Sequence, residues 1–447
     1  RIPPIAPSAI SVNSYDPVQA RAMDKSDIRN FRKWHRKAAL RAKQAGFDLI
    51  YVYAAHGGTL LTHFLSRLIN KRTDEYGGSL ENRVRLFREL IEDTKEAVGD
   101  RCAVAVRFAV EEFLGPMGIT SENEGREIVE MLSELPDLWD VNISNWSKDS
   151  ASSRFESEGH QESYIGFVKS LTSKPVVGVG RFTSPDKMVS QIQHGIMDMI
   201  GAARPSIADP FLPKKIEEGL IEEIRECIGC NICVMSDQFS VPIRCTQNPT
   251  MGEEWRRGWH PERINPRKSD DGVLVVGGGP SGLECALALG QRGYRVILVE
   301  ASAELGGRVS RESRLPGLAE WGRVRDYRQL MLKRLSEVSI YPENHLSAEE
   351  IIEFSAEDHF DFSHVLLATG ATWRRDGIGR KHREPIPGLE KLPVFTPDDI
   401  MDGVSAQGRV VVFDDDHFYM GGVLAEKLRR EGHDVLLVTP APDISTW

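Results

Sequence analysis

The sequence has no apolar run approaching the roughly 20 residues that a membrane-spanning helix needs, so no helical membrane segment is expected. It has no basic excess. Against 56 Lys and Arg stand 66 Asp and Glu, for a net charge of −10, which argues against general nucleic-acid binding. Cysteine is scarce, with six in 447 residues, and a disulfide framework is not expected. A soluble, acidic, cysteine-poor chain fits a reducing, cytoplasmic compartment. There is no initiator methionine at Arg1, and the apolar run Val435–Val438 near the other end is not answered by a helix. The expectation is an internal piece of a longer protein.

The cysteines that are present are concentrated. Cys227, Cys230 and Cys233 are spaced by two residues, and Cys245 follows after eleven more. Three thiols from one tight turn and a fourth from a separate loop complete a tetrahedral set. A [4Fe–4S] cluster fits this spacing better than zinc, whose four-thiolate sites usually pair two C-x-x-C knuckles across a longer gap. Cys102 and Cys285 sit in apolar stretches and read as buried hydrophobes.

From residue 24 to about 220, strand and helix patterns alternate. Short apolar runs at 49–53, 103–108, 138–143, 175–179 and 197–201 read as buried parallel strands. A first helix carries Ile28, Phe31, His35, Ala38, Ala42 and Ala45 before Gly46; another carries Val84, Phe87, Ile91, Thr94 and Val98. Repeated β–α units suggest a (β/α)8 TIM barrel whose first strands lie upstream of Arg1, with an open sheet as the alternative. Barrel chemistry sits at the C-terminal strand ends. Those ends carry Tyr53 and His56, then Arg107, Trp146 and Asp149, Gly180 and Arg181, and Ala203 and Arg204. Small residues followed by Arg after the last two strands look like a phosphate site.

Further on, Val273–Val276 runs into G-G-G-P-S-G, and Glu300 lies about 20 residues on. This is the dinucleotide fingerprint in its strand–loop–helix context. Gly277, Gly279 and Gly282 let backbone approach a pyrophosphate, and Glu300 can accept from ribose hydroxyls. A second strand of this kind, Val410–Phe413, leads instead into D-D-D-H-F-Y-M-G. Three carboxylates repel a pyrophosphate, so this loop reads as a retained scaffold that has lost its nicotinamide site.

The stretches Y-V-Y-A-A-H (51–56), N-K-R-T-D-E-Y-G-G-S-L-E-N-R (70–83), V-G-R-F (179–182), A-R-P-S-I-A-D-P-F-L-P (203–213), C-I-G-C-N-I-C (227–233) and C-T-Q-N (245–248) resemble the trimethylamine dehydrogenase and histamine dehydrogenase branch of the old yellow enzyme superfamily. The resemblance implies the C-terminal part of an FMN-binding barrel at 1–220, a [4Fe–4S] segment and linker at 221–265, a Rossmann-like ADP-binding domain at 266–405, and the start of a second, degenerate dinucleotide fold at 406–447. It implies FMN held covalently through a cysteine outside this sequence. Tyr53, His56 and Asp149 match the family's hydrogen-bonded triad, Arg107 the cation beside the flavin, and Trp146 an aromatic wall. Where trimethylamine dehydrogenases carry a second aromatic wall, this chain has Asp237, an acid that suits histamine or another primary or di-cationic amine. The implied activity is oxidative deamination of a small amine by hydride transfer to FMN, then single electrons to an electron-transferring flavoprotein or another acceptor, by a homodimer. The family's acceptor docks near an aromatic residue after an E-W pair; here Gly322 and Arg323 follow Glu320-Trp321. The alternatives are a trimethylamine or dimethylamine dehydrogenase, or an NADPH-dependent 2,4-dienoyl-CoA or enoate reductase, which needs the second loop intact.

Overall fold

The computed structural model describes residues 3–11, 18–238, 240–260, 263–356 and 362–445. They form two units, residues 1–151 with 156–205 and residues 152–155 with 206–447.

The first unit is built on five parallel strands in sequential order: Leu49–Ala54, Ala103–Glu111, Leu138–Ile143, Val176–Val179 and Met199–Gly201. Sequential parallel order with helical crossovers is the order of a barrel, and the described strands form an open arc of it. Alternation along each strand gives the arc two faces. One face buries Val52, Val106, Phe108, Trp139 and Val141. There the Phe108 ring lies 6.1 Å from Phe87 of the helix Leu80–Val98 and 6.4 Å from Trp139. The other face carries Tyr51, Tyr53, Arg107, Asp140 and Asn142. On the edge strand it is open, and Tyr53 is 39% exposed, so the expected burial on both faces does not hold there.

The helices are placed by side-chain caps. Asp24 closes a capping box on Lys25–Gln44, and Ser79 caps Leu80–Val98. Ala38 and Ala45 of the first helix face solvent, and Ala39 faces inward instead. The stretch after Leu138–Ile143 is not one helix but single turns, Trp146–Asp149 and Glu162–Ile165, ahead of Val168–Leu171.

The long motif at 70–83 proves to be a brace. Asn70 donates to the carbonyls of Phe64 and Tyr76 at 2.7 and 2.8 Å. A Cβ on Gly77 would lie 2.3 Å from the Arg72 carbonyl oxygen. Arg83 is buried and forks onto Glu124 at 2.6 and 3.0 Å.

In the second unit four parallel strands run in the order Val338–Tyr341, Arg295–Val299, Gly272–Val276, Phe362–Leu367. The first strand in sequence is therefore central, as in doubly wound nucleotide folds. Its core joins Val273, Val275, Leu298, Leu283 and Leu287. A separate parallel pair, Val410–Phe413 with Val435–Val438, packs under the helix Met420–Arg430. No helix of the described residues is long and apolar enough to cross a membrane.

Candidate functional site

Parallel register sets Tyr53 beside Arg107 and Arg107 beside Asp140. The chain then turns sharply after Ala54. His56 adopts a left-handed backbone with φ +61°, uncommon for a residue with a side chain, and this turn brings its ring back toward the strand end. The Tyr53 hydroxyl contacts His56 Nδ1 at short range. His56 Nε2 lies 2.9 Å from Asp149 Oδ2. Asp149 is the last residue of the single turn after the third strand, so two separate chain segments converge.

The partners fix the tautomer. Asp149 is acceptor-only when ionised, so Nε2 carries the proton and Nδ1 accepts from Tyr53. Asn142 also lies 2.9 Å from Nε2. Its amide oxygen, rotated toward Nε2–H, is the chemically consistent contact. Gln161 completes the chain: its amide donates to Asp149 Oδ1 at 2.7 Å, while its oxygen accepts from the Ile143 N–H at 3.1 Å. Tyr51, Asp140, Asn142 and Gln161 were not singled out from sequence. For Tyr51, Asp140 and Asn142 the available signal was strand alternation from Tyr53 and Arg107. For Gln161 there was none.

Burial alone would raise the Asp149 carboxyl, but hydrogen bonds from His56 and Gln161 hold it below its ordinary value. Burial pushes the Tyr53 phenol up, against the nearby Arg107 charge, so it stays a proton donor at neutral pH. Burial also raises the Asp140 carboxyl, which Arg107 and Tyr51 oppose. Arg107 reaches Asp140 at 3.4 Å, and its Nε is buried without a partner among the described residues. Because the native Asp149 value is depressed, its ionisation stabilises the fold above the unfolded value, about pH 4. That stabilisation is lost as pH falls through the native value. Asp149→Asn is expected to flatten this part of the acid-melting profile, read as melting temperature between about pH 2 and 5.

At the fourth strand end, a Cβ on Gly180 would lie 2.9 Å from Gly159 Cα, and the Gly159 N–H donates to the Gly180 carbonyl at 2.8 Å. Arg181 has φ +56° and is 4% exposed. It gives Nη2 to the Glu156 carbonyl at 2.6 Å, but Nε and Nη1 have no partner among the described residues. Two buried orphan donors fit an anionic oxygen. Arg204 behaves differently: it pins the third-strand loop through the carbonyls of Ser150 and Ala151, at 3.1 and 3.0 Å. Ala203 is exposed at the start of the short helix Ala203–Ala208. The Trp146 side chain lies outside the described residues.

In the second unit, backbone N–H groups already point at the cysteine sulfurs. Gly229 donates to Cys227 Sγ and Gln247 to Cys245 Sγ, each at 3.4 Å, and Thr246 Oγ1 lies 3.2 Å from Cys230 Sγ. Such donors stabilise thiolates. Among the described residues no three ligating side chains gather around a single ion, and four thiolates on four separate irons need no such gathering. Asp237 is exposed on the helix Ile232–Gln238.

The fingerprint glycines divide their work. A Cβ on Gly282 would lie 1.8 Å from the Gly277 carbonyl oxygen, and one on Gly277 would lie 2.4 Å from that of Ala368. Gly279 has open space and caps the helix Pro280–Gln291. Glu300 accepts from the Gly278 and Ser302 N–H groups at 2.6 and 2.8 Å. Gly277, Gly279 and Glu300 line a cleft of about 1300 Å³, and Gly282 packs against the Gly277 carbonyl. Cys230 and Thr246 line the same cleft.

The second loop is filled by its own side chains. Asp414 accepts from the N–H groups of Asp416 and His417, both at 3.1 Å, and a Cβ on Gly421 would strike its carboxylate carbon at 2.5 Å. Asp415 accepts from the Lys381 N–H at 2.7 Å and the His382 N–H at 3.2 Å. Trp321 stacks edge-on against Tyr419 at 4.2 Å, and Arg323 pairs with Glu226 at 2.8 Å.

Residues 3–223 match the NADH:flavin oxidoreductase / NADH oxidase family, and residues 272–350 match the FAD dependent oxidoreductases. The chain is 44% identical over 428 residues to dimethylamine dehydrogenase from Hyphomicrobium sp. (strain x), covering 93% of this chain and 57% of that protein. Two solved structures superpose over all of it at 54% identity. The 6-hydroxypseudooxynicotine amine oxidase from Pseudomonas geniculata N1 gives a TM-score of 0.96, with 66% of that chain covered. Histamine dehydrogenase from Rhizobium sp. 4-9 gives 0.94, with 64% covered. The chain thus spans under two thirds of each of these proteins. From the identity along almost its full length, the chain belongs to the NADH:flavin oxidoreductase / NADH oxidase family and, within it, to the branch that includes dimethylamine dehydrogenase and histamine dehydrogenase.

Proposed function

We propose that the whole protein is an amine dehydrogenase that oxidatively deaminates a small amine, with histamine or another primary or di-cationic amine favoured. The observation that carries this reading is the Tyr53–His56–Asp149 chain, ordered by Gln161. When bound, FMN supplies a hydride acceptor, and a [4Fe–4S] cluster on Cys227, Cys230, Cys233 and Cys245 supplies a one-electron carrier.

The residues act on the proton. An amine is protonated at neutral pH, and its lone pair must be free before a hydride can leave the α-carbon. The Tyr53 oxygen, whose own proton is given to His56 Nδ1, is free to accept an N–H from the amine. As the amine loses a proton to Tyr53, the Tyr53 proton moves to Nδ1, and the imidazolium so formed is held by the ionised Asp149. Arg107, one of whose donors is unpartnered, suits the edge of a flavin ring where reduction places negative charge. Gly180, Arg181, Ala203 and Arg204 are assigned to the FMN phosphate, with Arg181 the principal donor. Arg181→Ala is expected to lower the flavin-to-protein ratio of the purified full-length enzyme by about twofold or more, measured by absorbance, because the phosphate loses its principal donor while the flavin is being loaded.

The fingerprint cleft is assigned ADP. The carboxylates of the second loop occupy the backbone donors a pyrophosphate would need, which supports electrons leaving rather than entering as NADPH. The implied partner is an electron-transferring flavoprotein or another one-electron acceptor, and a homodimer is the proposed assembly. Substrate choice is assigned to Trp146 and Asp237. Product assays for aldehyde and ammonia over a panel of amines test this on the full-length enzyme. The histamine-to-trimethylamine ratio is expected to fall by about tenfold in Asp237→Tyr; an unchanged ratio removes Asp237 from the substrate site.

A further inference from the structure

Arg225 lies two residues before the first cluster cysteine, and it is 5% exposed. Its guanidinium stacks over the Tyr327 ring, 5.1 Å from the centroid, and gives Nη2 to the Tyr327 hydroxyl at 3.3 Å. Nε and Nη1 are buried and have no hydrogen-bond partner among the described residues. The acids whose charge reaches it, Glu284 and Asp209, are already committed. Glu284 takes Arg328 Nε at 2.8 Å, and Asp209 takes Lys215 Nζ at 2.9 Å. The Arg225 charge also reaches Cys245.

A buried cation with two idle donors costs several kcal/mol unless an anion compensates it. Cluster thiolates, with Cys227 two residues on and Cys245 within reach of the Arg225 charge, would supply that anion. A cluster held by four thiolates is net negative in both redox states and more so when reduced. Net charge and hydrogen bonds around the sulfurs are the levers that set such a potential.

We infer that Arg225 sets the cluster's reduction potential, its guanidinium favouring the reduced state. Tyr327, stacked against the guanidinium, fixes its orientation, and Asp209 holds the Arg225 backbone N–H at 2.8 Å. This inference rests on the cysteines holding a [4Fe–4S] cluster.

The test is an EPR-monitored redox titration of the full-length holoenzyme and its Arg225→Gln and Arg225→Lys variants, with iron content measured in each. In Arg225→Gln the equilibrium constant for cluster reduction is expected to fall about tenfold, a drop of 59 mV for one electron. Arg225→Lys keeps the charge and should fall by less. An unchanged potential in the glutamine variant, or equal shifts in both, overturns the inference. If the glutamine variant cannot retain iron, retention by the lysine variant upholds charge compensation, and iron loss in both overturns it. Wild-type protein without iron or an EPR signal would sink the cluster itself, a result distinct from a normal cluster whose potential ignores Arg225.

Discussion

Replacing His56 with asparagine is expected to lower kcat/KM for the amine by about 10²–10⁴-fold, the usual contribution of a positioned acid–base group. Asparagine is the informative replacement because it tolerates the left-handed backbone that His56 adopts, φ +61°. A loss of activity then reports on the ring and not on a broken turn. Without the imidazole, Tyr53 has no base at its hydroxyl, and Asp149 is left with Gln161 alone. The amine would have to lose its proton to water before oxidation. The variant's dependence on pH should therefore follow the free amine, its rate rising toward high pH. Steady-state kinetics across pH, with melting temperature as the fold control, make the check. A variant retaining more than a tenth of wild-type efficiency at neutral pH, folded normally, would remove His56 from the chemistry.

Arg83→Met carries the largest expected cost in stability. Arg83 is 2% exposed and forks onto Glu124 at 2.6 and 3.0 Å, with further donation to the carbonyls of Leu65 and Gly78. Removing one partner of a buried pair costs about 3–5 kcal/mol, because the other charge stays buried. Arg67, 3.3 Å from Glu124, can take up part of that charge, which places the expected value near 3 kcal/mol. For a unit of this size that is a fall of roughly 6–12 °C in melting temperature. Glu124→Gln paired with Arg83→Met should recover part of the loss, since the double variant buries no unpaired charge.

Much of the architecture is legible in the sequence, for physical reasons that differ by element. Parallel strands announce themselves as short apolar runs, and the fingerprint glycines are forced by contacts that leave no room for a methyl group, as at Gly282. Backbone N–H groups donate to the sulfurs of Cys227 and Cys245, a detail that the cysteine spacing does not announce. What sequence does not carry is convergence. Gln161 reaches Asp149 because the chain after the third strand folds into two single turns, Trp146–Asp149 and Glu162–Ile165, and nothing in its neighbours marks it. Arg181 and Arg204 look alike as small-residue–Arg pairs; only the fold shows one with idle donors and the other tied to carbonyl oxygens. The second loop reads as repulsive from its three acids, yet Asp414 and Asp415 are better described as occupants, each accepting from backbone N–H groups, with Asp414 Oδ2 left buried and without a partner among the described residues. The motif at 70–83, informative as a family mark, is structural: its residues brace the helix Leu80–Val98.

Under the proposed function, reducing equivalents enter from an amine and not from a nicotinamide. Anaerobic mixing of the full-length enzyme with histamine, trimethylamine or NADPH, followed at the flavin absorption band, tests it most directly. Rapid bleaching by an amine, with histamine ahead of trimethylamine, and no bleaching by NADPH is the predicted result. Bleaching by NADPH, with every amine silent, would contradict it and favour the enoate reductase reading.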